Sequence, residues 1–265
     1  MAELFRQLEN ALLEPDYQAK CELTATIHQA WLQGSLVRRA RSKILSIDDP
    51  GRPQRPVLVD PRELERRSVS SPEGRIRLLH AFVHIEFNAI NIALDAVYRF
   101  RDMPEQFISD WLLVATEEAR HFQLLERELK QRGSYYGAYH AHRGLWDMVC
   151  KTRHDVLHRM ALVPRVMEAR GLDVTPAMIA KFKQNDDRAA VEILEIIYRD
   201  EIGHVRIGNH WYGYLCEQQG LDAERTFRDL IIQYMDGKLR GPFNWPARIE
   251  AGFQETELSV LEQGI

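Results

Sequence analysis

A chain of 265 residues, 45% hydrophobic and 28% charged, has ordinary globular composition and enough length to bury a sizeable core. Its formal net charge of −4 argues against a general attraction to nucleic acid or anionic membranes, leaving room only for a local basic patch. Cys21, Cys150 and Cys216 form no C-x-x-C pair, which disfavours a disulfide framework or a thiolate metal site and suits a reducing compartment.

Residues 1–20 carry Glu3, Glu9, Glu14 and Asp16 and no apolar signal core, and no apolar run reaches the roughly 18 residues of a membrane helix. The expected location is cytoplasmic. The first 45 residues read as helical, with Leu23, Ile27, Trp31 and Leu36 as an apolar stripe. Residues 46–71 then change character, punctuated by Pro50, Gly51, Pro53, Pro56 and Pro61. Only Val57-Leu58-Val59 resembles a strand, so this stretch reads as an extended connector draped over the core. Ser70-x-x-Glu73, with Pro72 inside, signals a helix start.

Four long helices follow, over about 72–100, 104–132, 145–170 and 187–219, the last three stopped by Gly133, Gly171 and Gly220. At ~1.5 Å per residue they span roughly 39–50 Å, the length of bundle helices. A loop rich in Tyr, Gly and His fills 134–144, and a short helical piece starts at Thr175-Pro176. A further helix covers about 222–235, before a tail that Gly241-Pro242 and Pro246 make irregular. The predicted fold is all-α and a single domain overall. Residues 1–71 form an N-terminal helical segment and connector, 72–220 a four-helix core, and 221–265 a C-terminal helix and tail.

Glu-x-x-His occurs twice, at Glu118-Ala-Arg-His121 and Glu201-Ile-Gly-His204. With 23 glutamates and 10 histidines, about one such match arises by chance, so the pair alone is weak. Its strength comes from upstream. Glu86 precedes Glu118 by 32 residues and Glu168 precedes Glu201 by 33, so two halves repeat one plan. A helix with Glu followed by a helix with Glu-x-x-His is the arrangement of two-metal carboxylate bundles.

Helical geometry agrees. Around Glu86 the shared face holds Leu79, Phe82, Ile90, Ala93 and Val97. Around Glu118 and His121 it holds Phe107, Trp111, Val114, Phe122 and Leu125; around Glu201 and His204, Ala190, Leu194, Ile197, Val205 and Gly208. A carboxylate alone on such a stripe needs a cation or a proton. Glu168 shares its face with Leu157, Ala161 and Leu172, but Pro164 one turn earlier predicts a kink or bulge there. Carboxylate-rich sites with one His per metal suit two iron ions, or manganese–iron or di-manganese pairs, better than zinc.

The stretches 84–91 (HIEFNAIN), 117–121 (EEARH), 161–173 (ALVPRVMEARGLD) and 200–204 (DEIGH) resemble the ferritin-like superfamily, and more closely the bacterial family catalogued as domain of unknown function 455. The resemblance runs from about Gly51 to Phe253. It implies a four-helix core and six ligands at Glu86, Glu118, His121, Glu168, Glu201 and His204, with no departure at these positions.

Weaker signals surround this set. His80, His84, Asn88, Asn91 and Asp95 form a polar stripe opposite Glu86, read as hydrogen bonding to the connector rather than as a second ligand site. Tyr198, one turn before Glu201, is a core residue or a second layer behind the ligands. His140, His142 and Trp146 read as an ordinary loop end, and 240–244 as a lid or a brace. The favoured function is dioxygen activation by two iron(II) ions, as an oxidase or monooxygenase on a small-molecule substrate, with an electron-donor protein as partner. Ferroxidase, peroxide-detoxifying or iron-handling activity is the alternative, and a metal-free scaffold the third reading. A monomer or homodimer is expected, without membrane association. The charge gives tRNA little support as a substrate, although tRNA-modifying hydroxylases share the fold that the resemblance implies.

Overall fold

The computed structural model describes residues 2–39, 42–64, 69–239 and 241–264, and it is mostly helical, as the periodicity predicts. Residues 40 and 41 of the predicted N-terminal helical stretch, 65–68 of the connector and Arg240 lie outside the described residues. The chain divides into two compact units, residues 1–150 and 151–265.

In the first unit, β1 (Ala2–Glu3) leads into α1 (Leu4–Leu13), whose Leu4, Phe5, Leu8, Ala11 and Leu12 are buried. Next comes α2 (Tyr17–Leu32), capped by Asp16, whose carboxylate accepts from the backbone of Gln18 and Ala19. The predicted stripe on α2 is rotated. Lys20, Cys21, Thr24 and Ile27 are its buried residues, whereas Leu23 and Trp31 are half-exposed. Leu36, expected on a helix, lies in β2 (Leu36–Val37), paired in parallel with β1. A lysine enters the buried side because its three hydrogen-bond donors are met: Lys20 Nζ donates to Ala11 O at 2.7 Å, Leu12 O at 3.1 Å and Asn91 Oδ1 at 2.7 Å.

The connector is extended, apart from a 3₁₀ turn at Pro61–Glu63. Its expected strand is reduced to a single bridge between Leu58 and Ala141. α3 (Pro72–Arg99) starts at Pro72 as expected, but its cap is Ser71 rather than Ser70: Ser71 Oγ accepts the Gly74 N–H. α4 (Glu105–Gln131) packs along α3, while α1 covers α3 and α2 covers α4. Because α3 is enclosed this way, its polar stripe is buried as fully as its apolar one. α5 (Gly144–Lys151) closes this part of the chain, with Trp146 Nε1 donating to Asp48 O of the connector at 3.2 Å.

The second unit departs most from the prediction. The single helix expected over 145–170 is broken after α5, where Asp155 caps a new helix, α6 (Val156–Leu162), by accepting from Leu157 and His158 N–H. A π-helical segment, Val163–Glu168, follows, and α7 (Ala169–Gln184) continues directly from it. Gly171 does not stop this helix, and Pro176 sits inside it. α8 (Arg188–Gln219) packs against α6, the π segment and α7, and ends at Gly220 in the left-handed conformation, φ +65°. α9 (Ala223–Met235) lies against α6 and α8. The tail is more ordered than its prolines suggest. It contains α10 (Trp245–Glu250) and α11 (Glu255–Gln263), and Pro246 falls in the first turn of α10, where a missing N–H is harmless.

Candidate metal centre

In the first unit α3 presents Glu86, and α4 presents Glu118 and His121 one turn apart. His121 Nδ1 lies 3.3 Å from Glu86 Oε2 and 3.4 Å from Glu118 Oε2. Glu86 is 2% exposed, and Glu118 and His121 are 0% exposed. The apolar neighbours predicted for these faces, among them Leu79, Ile90, Val114, Phe122 and Leu125, are buried with them.

Two carboxylates held this close in an apolar interior resist carrying full charge. Burial, and then the charge of Glu118, push the Glu86 carboxyl up to about 8. Burial works against a charged His121, but hydrogen bonding and attraction to Glu118 and Glu86 overcome it and raise the imidazole to about 11. The cluster therefore calls for positive charge, as a proton on His121 or as a metal ion. Two carboxylates and one imidazole nitrogen are a donor set for hard to borderline divalent ions such as iron(II) or manganese(II), so the residues fit the metal expected from the spacing.

The second unit repeats the motif on α8. His204 Nδ1 lies 3.8 Å from Glu201 Oε2, with side chains 1% and 14% exposed. Glu168 closes the π segment and is half-buried. The bulge expected from Pro164 is this segment: proline lacks the N–H that would continue the α ladder, and its ring crowds the preceding turn. Gly208 is what lets α8 come close. A Cβ there would sit 2.3 Å from Pro164 Cβ and 2.5 Å from its Cγ.

The polar stripe of α3 finds partners beyond the connector. His84 Nδ1 lies 3.0 Å from Tyr136 Oη and its Nε2 2.9 Å from His142 O, while Gly137 N–H donates to His80 Nε2 at 2.9 Å. Asn91 accepts from Lys20, and Asp95 pairs with Arg99 at 2.8 Å. The stripe thus anchors the 134–144 loop and α2. His140 is exposed, and His142 Nδ1 accepts the Gly144 N–H, as in an ordinary loop end. Tyr198 Oη accepts from Asn244 Nδ2 at 2.9 Å, and burial raises its pKa.

Arg165 and Arg248 are among the buried cations that the sequence did not reveal. Arg165 is surrounded by the rings of Tyr212, Phe227 and Phe253, and Arg248 forms a two-pronged pair with Asp173. The only trace of the first in the sequence is its position inside the apolar run 161–167.

Fold and site together define a mostly helical protein with a buried glutamate–histidine group that could hold a metal ion. The profile of the family described as "Protein of unknown function (DUF455)" matches residues 13–259. An uncharacterized protein of Haemophilus influenzae is 46% identical over 271 residues, covering 98% of this chain and 94% of the relative. The chain belongs to this DUF455 family. No solved structure matches it.

Proposed function

We propose that this chain is a ferritin-like two-metal carboxylate protein whose six ligands are Glu86, Glu118 and His121 from one repeat and Glu168, Glu201 and His204 from the other. The observation that carries the reading is the buried Glu86–Glu118–His121 cluster, an arrangement without local cause unless a cation belongs to it. The second Glu-x-x-His supports it by repeating the same internal approach of Nδ1 to Oε2, 3.8 Å against 3.4 Å. Four carboxylates neutralise two divalent ions, and one imidazole each gives both metals the same donor set.

Two bound iron(II) ions would supply the electrons for activating dioxygen, in an oxidase or monooxygenase reaction on a small molecule. The chain's own contribution is to hold the charge balance and to keep water out. Glu86 and Glu118 supply negative charge from an interior that does not stabilise it alone, so they favour binding of a cation over solvent-exposed carboxylates elsewhere. Leu79, Val114 and Phe122 keep that interior dry. An electron-donor protein and a monomeric or dimeric state belong to the same proposal.

The rival is a metal-free cluster in which a proton on His121 balances the two carboxylates, favoured by the upward pull on that imidazole. Metal analysis separates the two. Protein loaded anaerobically with iron(II) and desalted should carry about two metals per chain. Fewer than one per chain would sink the two-metal reading.

A further inference from the structure

The C-terminal segment 241–257 packs, within the second unit, on α8, which carries Glu201, and on α7, which continues directly from the π segment ending at Glu168. Asn244 bridges them. Its Nδ2 donates to Leu172 O on α7 at 3.0 Å and to Tyr198 Oη on α8 at 2.9 Å, using both amide hydrogens. Leu172 lies one turn after Glu168, and Tyr198 one turn before Glu201. The Asn244 backbone N–H also donates to Asp173 Oδ1 at 2.9 Å.

Two buried arginines extend the attachment. Arg248 Nε and Nη2 reach the two Asp173 carboxylate oxygens at 2.9 and 2.8 Å, a planar fork that fixes α10 against α7 in one orientation. Arg165, inside the π segment three residues before Glu168, donates from Nη1 to Asn209 Oδ1 at 2.8 Å and from Nη2 to Glu257. Phe253 joins the pair. Its ring lies 4.8 Å from the Arg165 guanidinium carbon and 5.0 Å from that of Arg248. A π turn is a departure from the favoured backbone ladder and persists where its surroundings hold it. Here the surroundings are α8, packed against Pro164 at Gly208, and the tail, which reaches Arg165 through Glu257 and Phe253.

We propose that segment 241–257 is a fixed brace, not a lid, and that Asn244, Arg165 and Arg248 are positioning residues that set where Glu168 and Glu201 are held. A lid would be fastened by exposed, replaceable contacts. This segment is fastened by a buried fork, a buried guanidinium beside a buried carboxylate, and an aromatic ring between the two cations. The positioning role rests on the two-metal reading above; the brace itself does not.

The test uses the full chain and Asn244→Ala, which removes a half-buried side chain and leaves both buried arginine pairs intact. Backbone hydrogen exchange is measured on metal-free protein, and iron(II) stoichiometry and affinity on loaded protein. In the parent, 241–253 should exchange as slowly as α7. In the variant, the amides of 163–173 should exchange about tenfold faster, and one of the two irons should bind about tenfold more weakly while the other is unchanged. Asn244→Gln, which keeps the donors, should recover part of both. Fast exchange of 241–253 in the parent overturns the brace in favour of a lid. Faster exchange of 163–173 with unaltered iron binding overturns the positioning role, since a plain structural strap would behave that way. If the parent binds no metal, the two-metal reading and the positioning role fail together, and the exchange arm alone decides the brace.

Discussion

α3 runs from Pro72 to Arg99 without a break and holds Glu86 in its middle, whereas the stretch holding Glu168 is assembled from α6, a π-helical turn and α7. The two Glu-x-x-His helices match more closely, but there too the first copy is sealed and the second is not: the Glu118 side chain is 1% exposed, the Glu201 side chain 14%. One sequence plan has therefore been built twice on backbones of different regularity. The regular copy is held by close helix packing and by the hydrogen bonds of the polar stripe on α3. The irregular copy needs a proline to make the bulge, a glycine to admit it, and buried arginines beside it. On the two-metal reading proposed above, this asymmetry would make the sealed first half the anchor, with the second half depending on the contacts that hold its bulge.

The strongest way to break that comparison is to remove the anchor. Glu118→Ala should abolish binding of both metals, because removing one member of a buried charge cluster costs roughly 3–5 kcal/mol. Iron retained after dialysis should fall about a hundredfold or more, with the far-ultraviolet circular dichroism of the metal-free protein unchanged. Two irons per chain in this variant would show that the first half is not the anchor.

Glu168→Ala should be milder. One metal is lost or weakened, the other stays, and oxidation of reduced protein by dioxygen stops, since the remaining carboxylates no longer balance two divalent ions. Glu192→Ala and Glu195→Ala, both on the exposed side of α8, serve as controls and should retain both metals. A Glu168→Ala protein that binds and oxidises two irons like its parent would remove the π segment from the site.

The bulge itself can be tested from either side. Gly208→Ala places a methyl within 2.3 Å of Pro164 Cβ and should destabilise the fold by roughly 1–3 kcal/mol in urea unfolding. Most of that loss should disappear in the Gly208→Ala, Pro164→Ala double variant, because the clash is with the proline ring. Pro164→Ala alone should let the π turn relax toward α geometry. A shift of one residue there turns Glu168 by about 100°, so metal affinity should drop while stability barely changes.

The smallest effect concerns the far side of the regular copy, where Lys20 holds Asn91 of α3. Burial lowers Lys20 to about 7 from 10.5. Between those values the unfolded chain keeps a proton that the folded chain has shed, leaving a neutral amine that can serve two of its three acceptors, so this group makes stability rise with pH across that window. Lys20→Met should flatten the rise in urea midpoints from pH 7 to pH 10.5. An unchanged slope would mean that Lys20 stays charged among its three oxygen acceptors.

Much of this was legible in the residues. Apolar period and stop signals placed α3, α4, α8 and α9 within a residue or two, because long amphipathic helices state their buried face many times over. Spacing singled out Glu86, Glu118 and His121, whose side chains the structure brings together, since a carboxylate on an apolar stripe is a conflict that only a partner resolves. Pro164 announced the bulge, because a missing N–H acts through local chemistry. What the sequence could not decide was set by contacts distant along the chain. Gly171 failed to stop α7, whose turn is held from outside by Asn244 and Arg248. The tail looked irregular until α10 found α7 and α8, and α11 found α10. The stripe on α2 was rotated because Lys20 found three oxygen acceptors in the interior. Local propensity and periodicity are carried by neighbouring residues and can be read from them. Whether a buried charge is met depends on groups brought together only by folding, and that belongs to the tertiary structure alone.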